Sequence, residues 1–306
     1  MAGDPNYASV SLLLHCDGTN GSTTFTDNSP APKTATVNGN AQISTTQSKY
    51  GGASMKLDGS GDYISIPYSA ALSLISGDWT IEAWVYVAAY TAGLMSIVNK
   101  DGVSGASYSQ YDLAIKSTGE MAGFLGNGNG VSPTGTTYTG TTTVTTGVWH
   151  HVAMVKTGAT CKGFLDGVQE WSAAAGPMYE GSKALLIGYQ TGQPSSSYLN
   201  GYIDDLRITK GIALYTANFT PPAAAFPDGM GYVGGVVRDD TGALCARTVR
   251  LIRRDTGALL SSMVSDASTG AYRLATPTLD EVVRIVHSNT TTAPLENDLI
   301  DRVIPA

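Results

Sequence analysis

Among the 306 residues of this chain, Glu82, Trp84 and Tyr86 are the ones whose types and spacing best suit chemistry at a surface. They alternate within Trp79-Thr-Ile-Glu-Ala-Trp-Val-Tyr-Val87. On an extended strand they therefore share one face, and Ile81, Ala83, Val85 and Val87 share the other. A carboxylate beside two aromatic rings suits a sugar, because rings cover its C–H face and the carboxylate accepts from its hydroxyls. The alternative is that Trp84 and Tyr86 pack between two sheets. Hydrolysis of a glycosidic bond with retention needs two carboxyl groups ~5–5.5 Å apart, which alternate positions on one strand would supply. Glu82 has Trp84 as its neighbour instead. Asp204 and Asp205 are adjacent and point to opposite faces, and Asp205 shares its face with Arg207. Neither strand offers the pair, so the sequence predicts a protein without enzymatic activity.

Other candidates are weaker. His15-Cys16-Asp17 cannot converge while its residues are consecutive on a strand, and His150-His151 lacks a third ligand at zinc spacing. No nucleophile elbow, zinc-protease helix motif, phosphate loop or dinucleotide fingerprint is present. The loops 102–111, 126–138 and 190–198 combine Tyr, Ser, Asn, Gln and Gly, a composition suited to recognition. Tyr108, Tyr111 and Tyr198 are their candidate ligand-binding residues. Asp58, Asp62 and Asp101 sit in Gly-rich stretches, where a carboxylate holds either a turn or a hard cation.

The elements that must position these residues are strands. The chain has 36 Gly and only 14% charged residues, with 42% hydrophobic. That composition excludes a disordered chain and a coiled coil and favours many turns. A net charge of −7 argues against a nucleic-acid partner, and no apolar run approaches the ~18 residues of a membrane span. No basic, apolar leader opens the chain, and three scattered Cys without a CxxC pattern suit reduced thiols and synthesis in a cytosol. All Lys and all Trp precede residue 230. Pro221, Pro222 and Pro227 mark a stiff linker at 221–230. The expected organisation is a β domain over 1–220, this linker, and a small β-sandwich over 231–306. In the latter, Asp240-Thr-Gly-Ala-Leu244 recurs as Asp255-Thr-Gly-Ala-Leu259, a turn motif between short strands.

Four blocks carry a resemblance. Ser54–Pro67, Trp79–Tyr86, Val148–Val155 with Phe164-Leu-Asp-Gly167, and Leu186–Gly188 with Gly201–Ile208 resemble, in order, the strands of laminin G-like domains of the concanavalin A-like lectin/glucanase group. The likeness covers roughly residues 8–222 and implies an all-β fold, a large antiparallel jelly-roll sandwich. It also implies that calcium could bind, although no other cofactor is expected. Gly235–Leu274 resembles a carboxypeptidase-regulatory-like, transthyretin-type sandwich. Asn297–Pro305 and Gly201–Pro222 resemble segments of tailed-bacteriophage virion proteins. That likeness implies a structural or adhesive virion component (head decoration, collar or tail fibre) made in the host cytoplasm. Its expected partners are other virion proteins in a homo-oligomer or symmetric assembly, and a host surface glycan. A free carbohydrate-binding adhesin is the alternative, and a glycoside hydrolase the more distant one.

Overall fold

The structure is a computed structural model that describes residues 3–91, 93–101, 109–126, 135–176, 178, 180–191, 197–229, 231–239, 241–253, 259–276, 283–288 and 299–303. The chain divides into two compact units, Ser9–Phe226 and a smaller one formed by Met1–Ala8 with Pro227–Ala306. The opening residues thus group with the C-terminal unit, whereas composition alone starts that unit at 231.

The larger unit contains β1 (Val10–Leu14), β2 (Thr36–Asn38), β3 (Gln42–Ser44), β4 (Ser54–Asp58), β5 (Tyr63–Ile66), β6 (Trp79–Val87), β7 (Leu94–Asp101) and β8 (Ser109–Lys116). It continues with β9 (Glu120–Gly126), β10 (Gly135–Thr143), β11 (Trp149–Thr157), β12 (Thr160–Leu165), β13 (Val168–Ala174), β14 (Leu185–Ile187) and β15 (Asn200–Lys210). These form two antiparallel sheets. One has the order β13-β12-β11-β6-β15-β4-β3, with β1 also pairing with β15; the other runs β10-β9-β8-β7-β14-β5-β2. Non-consecutive neighbours such as β6 and β15 show the chain passing repeatedly between layers, as in a jelly roll. The expected all-β jelly roll is what forms.

Alternation decides which side chains fill the space between the sheets. Ile81, Ala83, Val85 and Val87 of β6 join Leu113 and Ile115 of β8 and Leu185 and Ile187 of β14 in one buried cluster. The intervening residues face outward on each sheet. Two interruptions matter. In β12–β13 the turn Asp166-Gly167 takes φ of 48° and 79°, the left-handed pair of a type I′ hairpin turn. In β15 the register against β6 shifts between Asp204 and Arg207, where Asp205 has φ 50°. This bulge sets Asp204 opposite Trp84 and Arg207 opposite Glu82. Arg207 therefore shares the face of Asp204, contrary to the unbroken alternation assumed from sequence.

After β15 the chain returns across the outward face of the larger sheet as a strap, residues 211–226. Thr80 Oγ1 donates to the carbonyl of Ile212 and accepts from the amide of Leu214. Ala213, Tyr215 and Phe219 pack on Ala153, Val155 and Phe164. Tyr50 donates to the carbonyl of Pro222, and the amide of Phe226 donates to Asp205. The first part of the segment read as a linker is thus hydrogen-bonded into the larger unit. Its prolines keep it extended, and extension is what a strap lying over a sheet requires.

The smaller unit contains β16 (Gly231–Val236), β17 (Thr248–Arg253), β18 (Leu259–Val264), β19 (Ala271–Thr276), β20 (Val283–Ser288) and β21 (Leu299–Val303). They make a β16-β19 pair and a sheet of order β18-β17-β20-β21. Val237, Val249, Leu251, Tyr272 and Leu274 form its core.

Candidate functional site: the outward faces of the two sheets

On the larger sheet, Glu82 is fully buried beneath the strap. Arg207 places Nε and Nη2 at 2.9 and 2.7 Å from its Oε1. Its Oε2 accepts from Tyr215 at 2.7 Å and lies 3.2 Å from His151 Nε2. Burial alone would raise the Glu82 carboxyl, but Arg207 and His151 outweigh it and hold the group at about 2. Aromatic rings close the cluster: Tyr215 stacks on Phe219 at 3.5 Å, and His151 meets Trp84, Tyr215 and Phe219 edge-on. Lys49 Nζ sits 3.7 Å above the Trp84 ring. Glu82 and Trp84 are therefore on the outward face that alternation assigned them, but sealed there. Tyr215 bonding Glu82 and Phe226 packed against Arg207 tie the strap to this ion pair, which presents nothing to a ligand.

Tyr86 lies beyond the strap. It stands opposite Trp149 on β11 and Tyr202 on β15, and Tyr202 stands opposite Lys56 on β4. Tyr86 contacts both rings edge-on, at 5.7 Å and 5.6 Å. All three rings are half-buried, and Lys56 is exposed. The result is an aromatic row crossing three adjacent strands with a cation at one end. Sequence reading singles out Tyr86 but not Trp149 or Tyr202, whose juxtaposition follows only from strand order.

The core-averted face of the β10-β9-β8-β7-β14-β5-β2 sheet is polar and, around β7 and β8, buried: Ser96, Asn99 and Asp112 are at most 2% exposed. Asp112 on β8 is opposite Asn99 on β7 and Phe124 on β9. Its Oδ1 accepts from Ser96 at 2.6 Å. At the β5 side, Tyr189 and Tyr198 stack at 4.3 Å, with Tyr63 tilted against both. Tyr198 is thus half-buried within a tyrosine cluster. Tyr111 is in β8 with its ring turned into the core, where its hydroxyl donates to the Leu72 carbonyl at 2.9 Å. Composition places it in a binding loop, but it is core instead, one residue out of phase with Asp112. Tyr108 lies outside the described residues.

A family model described as the concanavalin A-like lectin/glucanases superfamily matches residues 58–214. The chain belongs to this superfamily. No curated protein matches the chain in sequence. Solved structures resemble it at low identity. The botulinum neurotoxin serotype D binding domain has TM-score 0.51 and 13% identity, covering 94% of this chain and 74% of that one. The binding domain of Paraclostridial Mosquitocidal Protein 1 has TM-score 0.52 and 11% identity, covering 98% and 73%. A Trypanosoma rangeli sialidase in complex with sialic acid has TM-score 0.51 and 11% identity, covering 68% and 31%. The superfamily's fold thus occurs both in binding domains and within an enzyme.

As to cations in this superfamily member, Asp62 accepts from the amides of Asn40 and Asp58, and Asp58 accepts from the amide of Ser60. Both carboxylates hold the turns around β4 and β5. The side chain of Asp101 lies outside the described residues. Among those described, no three His, Cys, Asp or Glu side chains converge as metal ligands.

Two carboxyls of the sandwich make its stability depend on pH. Burial pushes Asp112 up to about 7 despite donors from Ser96 and Asn99. Burial does the same to Asp204, to about 7, with Asp205 adding to it and the amides of Tyr50 and Lys49 opposing. A carboxyl raised in the folded state contributes stability that is complete below its unfolded value, about 4, and is lost as pH rises through 7. Glu82 runs oppositely: its contribution is present above the usual glutamate range and fades as pH falls toward 2. Urea midpoints should therefore be higher at pH 5 than at pH 8. The Asp112→Asn, Asp204→Asn double variant should reduce the difference. Equal midpoints for the unmodified chain would contradict the assignment.

Proposed function

We propose that the chain is a non-enzymatic glycan-binding protein, an adhesive structural component of a tailed-bacteriophage virion. The observation that carries glycan binding is the half-buried row Trp149–Tyr86–Tyr202, with Lys56 and Gln42 continuing it across β4 and β3. Ring faces take the apolar side of a pyranose, and the edges of the row supply hydrogen bonds to hydroxyls. On this reading the ligand is a glycan of the host surface. The smaller unit, as a transthyretin-type sandwich, joins the protein to other virion proteins in a symmetric assembly. The resemblance of Gly201–Pro222 and Asn297–Pro305 to virion proteins supports that setting, and of the second stretch only 299–303 are among the described residues.

Carboxylate placement among the described residues supports the non-enzymatic reading. Glu82 is neutralised by Arg207. Asp112 has Glu120 as the described carboxylate on the same face of the neighbouring strand, four residues along β9 from its partner Phe124. That is roughly 13 Å of strand, beyond the ~6.5–9.5 Å that even inverting hydrolysis uses.

Calorimetric titration of the full chain with the oligosaccharide selected on a glycan array tests the reading. Trp149→Ala should weaken binding at least tenfold, about 1.4 kcal/mol, with an unchanged melting temperature. Full affinity in that variant would remove the aromatic row from consideration. Release of reducing sugar would reverse the non-enzymatic assignment, and failure to detect the protein in purified particles by mass spectrometry would remove the virion setting.

A further inference from the structure

The aromatic row of the larger sheet ends on a cation that the fold does not use. The strands of this sheet carry four lysines: Lys56, Lys156, Lys162 and Lys210. Lys156 on β11 donates to the carbonyls of Gly77 and Gly158, Lys162 on β12 to that of Thr216, and Lys210 on β15 to that of Ala70. The backbone thus engages three of the four. Lys56 on β4 is exposed and has no hydrogen bond or ion pair among the described residues. It stands directly beyond Tyr202 in the cross-strand row Trp149–Tyr86–Tyr202–Lys56–Gln42.

The flanking rows limit what that ammonium can meet. On one side lie His151, Trp84 and Asp204. Lys49 and Tyr50 lie over the last two: their amides donate to Asp204 Oδ2 at 2.7 and 3.1 Å, and Tyr50 meets Trp84 edge-on. On the other side Asn200 stands opposite Asp58, whose carboxylate accepts from the Ser60 amide. Asp58 is exposed and two residues from Lys56 on the same face. It offsets part of the lysine's charge without forming an ion pair with it. The residues opposite Lys56, Tyr202 on β15 and Gln42 on β3, are uncharged. The row therefore carries one uncommitted positive charge at its end. From Trp149 to Lys56 it crosses three inter-strand gaps, roughly 14 Å, enough for several linked sugars. Pyranose faces would stack on the rings, and an acidic group would reach the lysine. An ammonium attracts as a point charge and imposes no bidentate geometry, so one negative charge suffices. A phosphate monoester, at about −1.5 to −2, would be undercompensated beside Asp58.

We propose that the row selects acidic glycans and that Lys56 is the residue that reads the charge. The ligand is an oligosaccharide with a singly charged group, a uronic-acid carboxylate or a phosphodiester, against the Lys56 ammonium. Its neighbouring pyranoses stack on Trp149, Tyr86 and Tyr202. The inference rests on the glycan-binding reading of this row and adds to it a ligand class and a specificity residue. The rings supply contact area and Lys56 supplies charge selection, so substitution separates the two.

The full chain is titrated by calorimetry with two matched pairs of probes. One pair is oligogalacturonides and their methyl esters, the same sugars without the charge. The other is glycerol-phosphate-linked oligosaccharides and the same sugars without phosphate. In low salt the acidic member of at least one pair should bind about two- to fivefold more tightly than its neutral counterpart, the range of an exposed charge pair. That ratio should fall to about one in Lys56→Gln, persist in Lys56→Arg and invert in Lys56→Glu. In the unmodified chain it should also collapse between about 0.01 M and 1 M salt, as the Debye length shrinks from roughly 30 to 3 Å. The pair that responds identifies the group as carboxylate or phosphodiester. Equal affinity for both members in the unmodified chain, or a preference that survives Lys56→Gln, would overturn the charge selection; if Trp149→Ala still weakens both members, the row itself stands. Probes that bind Trp149→Ala as tightly as the parent would sink the row and the proposal together. Failure of both acidic probes to bind would overturn the proposal. Binding of an oligoglutamate peptide that is lost in Lys56→Gln, with no oligosaccharide bound, would overturn it in favour of an acidic peptide.

Discussion

Arg207→Ala is expected to destabilise the jelly roll by about 3–5 kcal/mol, the usual consequence of stranding one member of a buried ion pair. Glu82 has no exposed surface, and Arg207 supplies two of the contacts that keep its carboxyl ionised. With the guanidinium gone, Glu82 must either remain charged in a dry site or take up a proton, and both raise the energy of the folded state. Loss of the cation also removes its packing over Phe226 at 3.9 Å, so the last turn of the strap loosens. Adding Glu82→Gln should recover part of the loss, because a neutral amide no longer requires a partner charge. The two substitutions are in direct contact and should therefore not be additive. Urea unfolding of the four proteins of this cycle measures it. A single-variant loss below about 1 kcal/mol would mean that Glu82 is solvated and the strap is not a seal.

The jelly roll is legible in sequence because its signals are local. Trp79–Val87 alternates without error, and Asp166-Gly167 announces a tight hairpin between two strands. The site is less legible because what covers or exposes a strand face depends on residues far along the chain. Alternation correctly puts Glu82, Trp84 and Tyr86 together. It carries no information that Tyr215, more than a hundred positions later, bonds Glu82, or that Lys49 and Tyr50 pack on Trp84 while Tyr86 is left clear. The parity of β15 is hidden for a different reason. An Asp-Asp pair tolerates a left-handed residue better than most, but nothing nearby requires one, so the bulge that turns Arg207 toward Glu82 leaves no local mark. Asp112 does leave one. Gln110, Asp112 and Ala114 alternate with Tyr111, Leu113 and Ile115, and reading this stretch as a loop hides both the polar face and the burial of Tyr111.

The strap gives the second large effect, at Gly167. This residue has φ 79°, and a Cβ built on it would lie 1.9 Å from the carbonyl oxygen of Phe219 and 3.1 Å from Cδ of Pro221. The Phe219 amide also donates to the Gly167 carbonyl at 2.9 Å. Gly167→Ala therefore adds two penalties: about 1–2 kcal/mol for a left-handed L-residue, and a backbone clash that only displacement of the strap relieves. We expect a total loss of about 2–4 kcal/mol. Gly158, at the β11–β12 turn, separates the two: it has φ 55°, and a methyl group placed there would meet nothing within 4 Å. Gly158→Ala should show the conformational penalty alone, about 1–2 kcal/mol. The decisive readout is on the far side of the strap. Moving Phe219 frees the ring of His151, which packs edge-on against the almost fully buried Trp84, so acrylamide should quench indole fluorescence more strongly in Gly167→Ala than in Gly158→Ala. Adding Trp84→Phe should abolish that difference. Equal quenching in the two glycine variants, with equal loss of stability, would show that the strap yields locally and does not act as a lid over Glu82 and His151.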